Sequence, residues 1–481
     1  MIQNSAAYSF RDPAGQILQI DGRILRLVRT TAVQDVEQFL SSHRFGALFE
    51  SGRLVQTSVL DLDEIKIFLR VRGIEVVDES EWGIVLEHEK IPFVSFPVEW
   101  TPEMLHAAGL LTIELAEASL HEGFGLKDAT PYNVLFRGAE PVFIDILSFE
   151  KRNPCDPTWL AYAQFVRTFL LPLFVNNHFK LSLDKFFLSR RDGIEPEKVF
   201  RMASPLRRLM PPFLHLVSIP VWLSWLQKED DASIYKPHLL ANPEKASFIL
   251  RSLFTRLKKR LNRLRPSGRQ SSAWSDYLVC NNNYTDVHFR SKCTFVESAL
   301  TEYKPVKVLD VGCNTGHFSA IAARCGASVV AIDYDPVVVG EVWRNARKEK
   351  LDILPLVVNL TRPTPALGWR NSETPSFLER ATGAFNAVLM LAVIHHMLVT
   401  ESIPLSEIIK QAAQLTTDVL IIEFVSPQDS MFIRLTRGRD SLYSNLTKEL
   451  FESECSRYFE ISATQHLAGT SRWLYLMRKK I

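Results

Sequence analysis

The 481-residue chain has no charge excess: 56 Lys and Arg face 54 Asp and Glu, a formal net charge of +2. Nothing in that balance pulls the whole molecule toward nucleic acid or membrane, so any such attraction has to come from a local patch. The six cysteines (Cys155, Cys280, Cys293, Cys313, Cys325, Cys455) are scattered with no CxxC pair, which excludes a zinc ribbon and a disulfide framework. Reduced thiols and a cytoplasmic location are the natural expectation. The opening MIQNSAAYSFRDP has neither a basic n-region nor an apolar h-region, so it does not read as a secretory signal. No internal repeat is evident. Residues 209–227, LMPPFLHLVSIPVWLSWLQ, are uncharged and nearly long enough to span a bilayer. Pro211, Pro212 and Pro220 interrupt them, and buried helices joined by turns are expected instead.

What is present suits a folded protein: 46% apolar and 23% charged residues, which rules out wholesale disorder. The length predicts two or three domains. Residues 1 to about 100 read as β-rich, with GQILQIDGRILRLV alternating around an Asp21-Gly22 turn. Residues 101–250 read as mainly helical, beginning with Thr101 as N-cap and Pro102 at the first helical position. Residues 251–269 hold eight Lys or Arg and no acid, with Leu253, Leu257, Leu261 and Leu264 on one helical face. A basic linker helix over 251–274 follows from this. It either docks through its leucines or offers a patch for anionic lipid, glycan or nucleic acid, as a peripheral membrane contact through 251–269 would.

From residue 305 the pattern becomes β-α-β-α. The strands VKVLDV, SVVAID, ILPLVV, FNAVLML and DVLIIEF are continuous apolar runs, as in a parallel sheet covered on both faces. VKVLDVGCNTGHFS (306–319) takes a strand end at Asp310 through Gly312-Cys313-Asn314-Thr315-Gly316 into a helix, at the carboxyl edge where such sheets bind ligands. The next strand ends at Asp333, an acid placed to accept hydrogen bonds from two ribose hydroxyls. The G-x-G-x-x-G dinucleotide fingerprint is absent from this loop.

On these residues, with the stretch FNAVLMLAVIHHM, the segment 275–481 resembles class I S-adenosylmethionine-dependent methyltransferases. The resemblance implies a Rossmann-like domain with a mainly parallel sheet. It implies that Asp310, Gly312, Cys313, Asn314 and Gly316 line the methionine and ribose end of S-adenosylmethionine, and that Asp333 holds the ribose. Asn359 stands where the family often has Asp against the adenine amino group, and its carbonyl would accept that hydrogen bond. His395 and His396 sit at the end of the fourth strand, over the expected methyl group. Either one is a base for the nucleophile, with His395 preferred, or both merely pack against the cofactor. The [DN]-P-P-[YF] motif of nucleic-acid and glutamine N-methyltransferases is missing, so no nucleic-acid signal is read. Glu423 and the following SPQDSMF are candidates for the acceptor pocket. The Pro-rich stretch 361–383 is long enough to be a substrate lid.

GFGLKDATPYNVLFRGAEPVFIDILSFE (123–150) spaces Asp128, Asn133 and Asp145 in the order of a base and two metal ligands. It resembles the catalytic segment of protein-kinase-like and aminoglycoside-phosphotransferase-like enzymes. That resemblance implies an α+β kinase-like region over 1–250, N-lobe-like to about 100 and helical beyond. Asp128 would be the base, Asn133 and Asp145 the magnesium ligands, and ATP with Mg2+ the cofactors if the site is active. The pattern departs at Leu126, where His is usual, and at Ile146-Leu147. No Gly-rich phosphate loop occurs in the first 100 residues. Arg26 or Arg29 with Glu37 is the nearest stand-in for the missing strand Lys. The whole chain also resembles a group of two-part bacterial proteins that includes host-specific nodulation methyltransferases. A methyltransferase acting on an O- or N-nucleophile of a small molecule or glycan is therefore expected. The alternatives are a bifunctional methyltransferase and phosphotransferase, or a scaffold whose N-terminal region only binds a substrate or partner.

Overall fold

A computed structural model describes residues 12–74, 81–226, 238–268 and 286–480. The first eleven residues and the linker stretch 269–274, on which two of the expectations above fall, lie outside the described residues.

β1 (Gly15–Ile20) and β2 (Arg23–Arg29) form the expected hairpin. Asp21 and Gly22 both take positive φ (50° and 79°), as a two-residue turn matching the strand twist requires. β3 (Thr57–Leu60) and β4 (Trp82–His88) complete a four-stranded antiparallel sheet in the order β1-β2-β4-β3. The region is not simply β-rich, because α1 (Thr30–Ser41), a helix at His43–Glu50 and α2 (Leu62–Val71) lie among these strands. The helical signal is weak at α1, which opens on two β-branched threonines. It is clear at α2, where the Asp61 carboxylate accepts from the N–H groups of Asp63 and Glu64, both at 2.9 Å.

α3 (Pro102–His121) begins as expected, with the Thr101 hydroxyl accepting from Met104 N–H at 3.3 Å. Four short strands follow: β5 (Phe124–Leu126), β6 (Val134–Arg137), β7 (Glu140–Phe143) and β8 (Phe149–Lys151). β5 pairs with β8 and β6 with β7, both antiparallel. Farther on lie α4 (Pro196–Met202), α5 (Pro205–Leu209) and α6 (residues 211–226), the last containing a π-helical segment at Leu214–Ser218. Through residue 226, the last described, the apolar stretch is thus largely helical, but only one side is buried: Phe213, Leu216, Val217 and Val221 face the core while Leu223, Trp225 and Leu226 are exposed. Among the described residues no helix is long and apolar enough to cross a membrane.

α7 (Pro243–Arg263) starts earlier than the basic run does, capped by Asn242, whose side chain accepts from Glu244 N–H at 2.7 Å. It docks on α3 through an apolar stripe of Leu250, Phe254, Leu257 and Leu261. Leu253 is only half-buried, so the docking face is offset from the one drawn through the four leucines. Arg256, Lys259 and Arg263 stay on the solvent side.

The C-terminal domain is built on seven strands. β9 (Lys307–Val311), β10 (Ser328–Asp333), β11 (Ile353–Val357), β12 (Phe385–Met390) and β13 (Thr416–Val425) are parallel. β14 (Phe459–His466) and β15 (Arg472–Lys479) close the sheet, in the order β11-β10-β9-β12-β13-β15-β14 with β15 antiparallel to both neighbours. The order reverses between β9 and β12, which opens a crevice at their carboxyl ends. α8 (Asp286–Tyr303), α9 (His317–Arg324), α10 (Pro336–Glu349), α11 (Ile394–Val399) and α12 (Ser430–Thr436) are the helices that concern this edge.

The two halves share one apolar core and are pinned by charge. Glu103 on α3 pairs with Arg344 on α10, and Glu140 meets Arg347 at 2.8 Å. The segment 361–383 is fixed here rather than free to act as a lid. Arg380 is buried against Glu99 and donates to the Val94 carbonyl, with Phe93, Phe96 and Phe377 around its guanidinium. Glu373 is paired with Arg191. Buried charges are tolerated only when partnered, so this stretch reads as a joint.

Candidate active site

The loop after β9 is shaped by two glycines. Gly312 and Gly316 take φ of 70° and 81°, a region costly to residues with a Cβ. A Cβ at Gly312 would meet Val393 at 3.1 Å, and one at Gly316 would meet Val342 at 2.8 Å. The loop is therefore held close both to the end of β12 and to α10. Between the glycines, Asn314 (φ 49°) turns its own carbonyl Oδ1 to Thr315 N–H at 2.7 Å.

That turn aims Asn314 N–H at Asp333 Oδ2, 3.1 Å away, while Asp335 N–H donates to Oδ1 at 3.0 Å. Each oxygen of Asp333 keeps acceptor capacity for a ligand. Burial raises its pKa, and the backbone donors of Asp335 and Asn314 partly offset this. Asp310 is buried and accepts from Ser319 Oγ at 2.5 Å. Burial first, and the charge of Asp333 in addition, push it up to about 6.

A cavity of about 580 Å³ opens over these residues, a size typical of pockets that enclose a cofactor-sized ligand. Asp310, Gly312, Cys313, Asn314, Asp333, Asn359 and His396 all line it. Gly316 does not; it sits behind, where the loop enters α9. The buried Cys313 thiol has its pKa driven well up by burial, so it contributes a neutral wall.

Asn359 is reversed relative to the expectation. Its Oδ1 already accepts from Thr361 N–H at 3.0 Å and from Thr361 Oγ1 at 2.6 Å. A backbone N–H needs an acceptor, so the amide NH2 is the end left for a ligand, a donor rather than an acceptor.

The two histidines separate. They lie on consecutive positions of α11, about 100° apart around the helix axis, so one faces the cavity and the other the interior. His396 lines the cavity, whereas His395 is fully buried and its two ring nitrogens have no hydrogen-bond partner. The rings lie 4.3 Å apart. Of the two, the structure thus gives the cavity to His396 and not to His395, the one preferred from the sequence. Burial, with Arg472 adding to it, lowers His396 to about 4, so it is neutral near pH 7.

Glu423 is not on the cavity wall either. It is fully buried between Lys292 (2.6 Å) and Arg472 (3.3 Å), and Arg472 in turn grips Asp429 through two bonds of 2.7 and 3.0 Å. This chain ties α8, β13, β15 and the start of α12 together beneath the site. Sequence reasoning missed Phe289, Lys292 and His317 on one side of the cavity and Met397, Leu435 and Arg437 on the other. Phe289 and Lys292 lie on the helix preceding the glycine loop, and His317 opens the helix that follows it.

The N-terminal constellation has a different state. Asp128, Asn133 and Asp145 are brought together at one end of the β5–β8 and β6–β7 ladders, but both oxygens of Asp145 and the amide nitrogen of Asn133 are already engaged. Arg26, buried on β2, pairs with Asp145 and Asp12, each at 2.6 Å. Ser148 donates to Asp145 and accepts from Asn133 Nδ2 at 3.0 Å. Burial works against ionisation of Asp145, yet Arg26 and Ser148 outweigh it and hold the carboxyl below its usual range. Asp128 is half-buried and raised, by burial first and then by the charge of Asp145. Arg29 pairs with Glu81 instead, and Glu37 is exposed and paired with neither arginine. Among the described residues no group of three or more His, Cys, Asp or Glu could hold a metal ion. With Arg26 on Asp145 and Ser148 bridging Asp145 and Asn133, the magnesium site expected at Asn133 and Asp145 finds no support.

A strand-end glycine loop, an acid on the neighbouring strand and a crevice at the reversal of strand order define the class of the C-terminal domain. Residues 249–468 match the family model of the methyltransferase domain. The protein is an S-adenosylmethionine-dependent methyltransferase resembling the nodulation methyltransferases. Nodulation protein NoeA of Rhizobium meliloti (strain 1021) is 28% identical over 476 residues, 98% of this chain and 96% of its own. Two solved structures are also similar. The N-methyltransferase NodS of Bradyrhizobium japonicum WM9, in complex with S-adenosyl-L-homocysteine, aligns over 43% of this chain and 93% of its own (14% identity, TM-score 0.31). The bifunctional kinase-methyltransferase WbdD aligns over 40% of each chain (18% identity, TM-score 0.29).

Proposed function

We propose that the chain transfers a methyl group to an O- or N-nucleophile of a small molecule or saccharide in the bacterial cytoplasm. The observation that carries this is the cavity in which Asp310 and Asp333 face His396 across the crevice. Bound S-adenosylmethionine would supply a sulfonium methyl for in-line displacement. Asp333 would hold the ribose hydroxyls, and Asn359 would donate to an acceptor nitrogen of the adenine. The negative charge of Asp333 and Asp310 suits a cationic ligand. His396, neutral near pH 7, would accept the hydrogen bond of an incoming hydroxyl or amine and orient it. With so low a pKa it is a weak base, so positioning is its larger contribution.

The test is incubation of the protein with cell extract and isotope-labelled S-adenosylmethionine, followed by mass spectrometry of the labelled metabolites. A labelled glycan or small molecule supports the reading, and label found only in nucleic acid overturns it. With that acceptor, His396→Ala should lower turnover about 10- to 100-fold with little change in cofactor affinity. Loss confined to His395→Ala would return the role to His395.

For the N-terminal region the scaffold reading has the better support. The pairing of β5 with β8 and of β6 with β7, with Asp128, Asn133 and Asp145 at one end of the ladders, supports reading this region as a kinase-like scaffold. The Arg26 clamp on Asp145 favours a retained architecture without phosphotransfer. Calorimetry with ATP and Mg2+ should give no heat of binding, and saturable magnesium-dependent binding would reinstate the bifunctional reading.

A further inference from the structure

α4, α5 and α6 carry four cations (Lys198, Arg201, Arg207, Arg208) and one acid, Glu197, which accepts from Ser224 Oγ at 3.4 Å. α4, α5 and α6 pack together around Leu214–Ser218. Their inner side is buried through Val199, Phe200, Phe213 and Val217. Their outer side exposes large apolar groups, with Leu206 81%, Leu226 80% and Trp225 66% accessible. Leu209, Met210 and Leu223 are exposed between them. Single exposed leucines are ordinary, but a cluster of this size on adjoining helices marks an interaction surface.

The cations sit at its margin. Arg208 lies over the Phe200 ring (4.1 Å) and donates to the carbonyls of Phe200 and Ala203, while Arg207 lies over Phe179 (5.7 Å). Arg201 is exposed. Trp225 meets the edge of Phe200 at 5.6 Å and keeps most of its indole in solvent. Leucines and a tryptophan bordered by arginines are the chemistry of an interfacial membrane contact. α6 is about 24 Å long at 1.5 Å per residue, too short to span a bilayer core of about 30 Å. Over its described residues it is long enough to lie on a membrane and too short to cross one. A second copy of the chain fits less well, because a two-fold contact would set a surface with four cations and a single acid, Glu197, against itself.

We infer that α4, α5 and α6 form a shelf that docks on the surface of an anionic lipid bilayer. The apolar side chains enter the headgroup boundary and Arg201 and Arg207 meet lipid phosphates. This holds whatever the methyl acceptor is.

The experiment is co-sedimentation of the full chain with vesicles of phosphatidylcholine alone and of phosphatidylcholine mixed with phosphatidylglycerol. The native protein should pellet with the mixed vesicles only. The double variant Leu206→Glu/Leu226→Glu should lower the bound fraction by at least about tenfold, since each leucine withdrawn forfeits its burial. Arg201→Glu/Arg207→Glu should also lower it, and added salt should weaken native binding. These positions are exposed, so unchanged thermal melting and unchanged S-adenosylhomocysteine affinity would show that both variants remain folded. Native protein left in the supernatant with mixed vesicles overturns the inference. So does equal pelleting with phosphatidylcholine alone, or native-like binding by either variant. Self-association without vesicle binding, abolished by the leucine variant, overturns it in favour of a second copy.

Discussion

The molecule carries two acidic clusters of similar make-up at strand ends, and they differ in what surrounds them. In the C-terminal cluster Asp333 is held by two backbone N–H groups and still faces an open cavity. In the N-terminal cluster Asp145 is held by a buried guanidinium and a serine hydroxyl. Backbone amides orient a carboxylate while leaving it acceptor capacity. An arginine neutralises its charge and ties it to a fixed structural partner. The same residue type is therefore presented for binding in one half of the chain and consumed for structure in the other.

The comparison breaks most sharply at Arg26. Arg26→Ala should cost about 3–5 kcal/mol, because it strands two carboxylates around a buried site. Denaturant unfolding measures this, and S-adenosylhomocysteine affinity should stay within about twofold. A cost below about 1 kcal/mol would mean that the N-terminal cluster is not locked. Next comes Asp333→Ala, expected to weaken S-adenosylhomocysteine binding about 100-fold by calorimetry, the loss of two charge-assisted hydrogen bonds. Unchanged affinity would remove Asp333 from the cofactor site.

A smaller effect concerns pH. Asp310 is raised to about 6, so it ionises as pH climbs from about 5 to 7. Affinity for the cationic amino group of S-adenosylhomocysteine should rise by up to about tenfold over that range, as a carboxylate charge appears beside it. Asp310→Asn should flatten the profile. The contribution of Asp310 to stability runs the other way: it is fully present below 3.8 and lost as pH rises through about 6.

The smallest effect is on acid stability. Burial lowers His106 and His396 to about 4 and His88 to about 3. A lowered folded pKa means stability is fully present above the ordinary value of 6.5 and is lost on acidification toward these values. Thermal melting should fall between about pH 7 and pH 5. His106→Gln, far from either cluster, should lessen the slope slightly.

Much of the catalytic half was legible because its signals are local. Glycine spacing, an acid ending the next strand and continuous apolar runs each follow from backbone geometry within a short window. The hairpin at Asp21-Gly22 and the cap at Thr101 were readable for the same reason. What escaped depends on packing between distant segments. Arg26 and Asp145 are far apart in sequence, and nothing near either residue announces the other. Lys292 looks like a surface charge and Glu423 like an acid of the acceptor pocket until the two are found buried against each other. Arg380 looks like part of a Pro-rich lid until its guanidinium is found among Phe93, Phe96 and Phe377.

The sequence by itself determined the parallel sheet, the cofactor loop and the presence of two acidic constellations, because periodicity and φ preferences act on neighbours. Only the tertiary structure decided which histidine faces the cavity and that Thr361 occupies the carbonyl end of Asn359. It also decided that one acidic cluster is open and the other closed. Those outcomes rest on the direction in which a side chain points and on the partner it finds there, which residues remote in sequence set together.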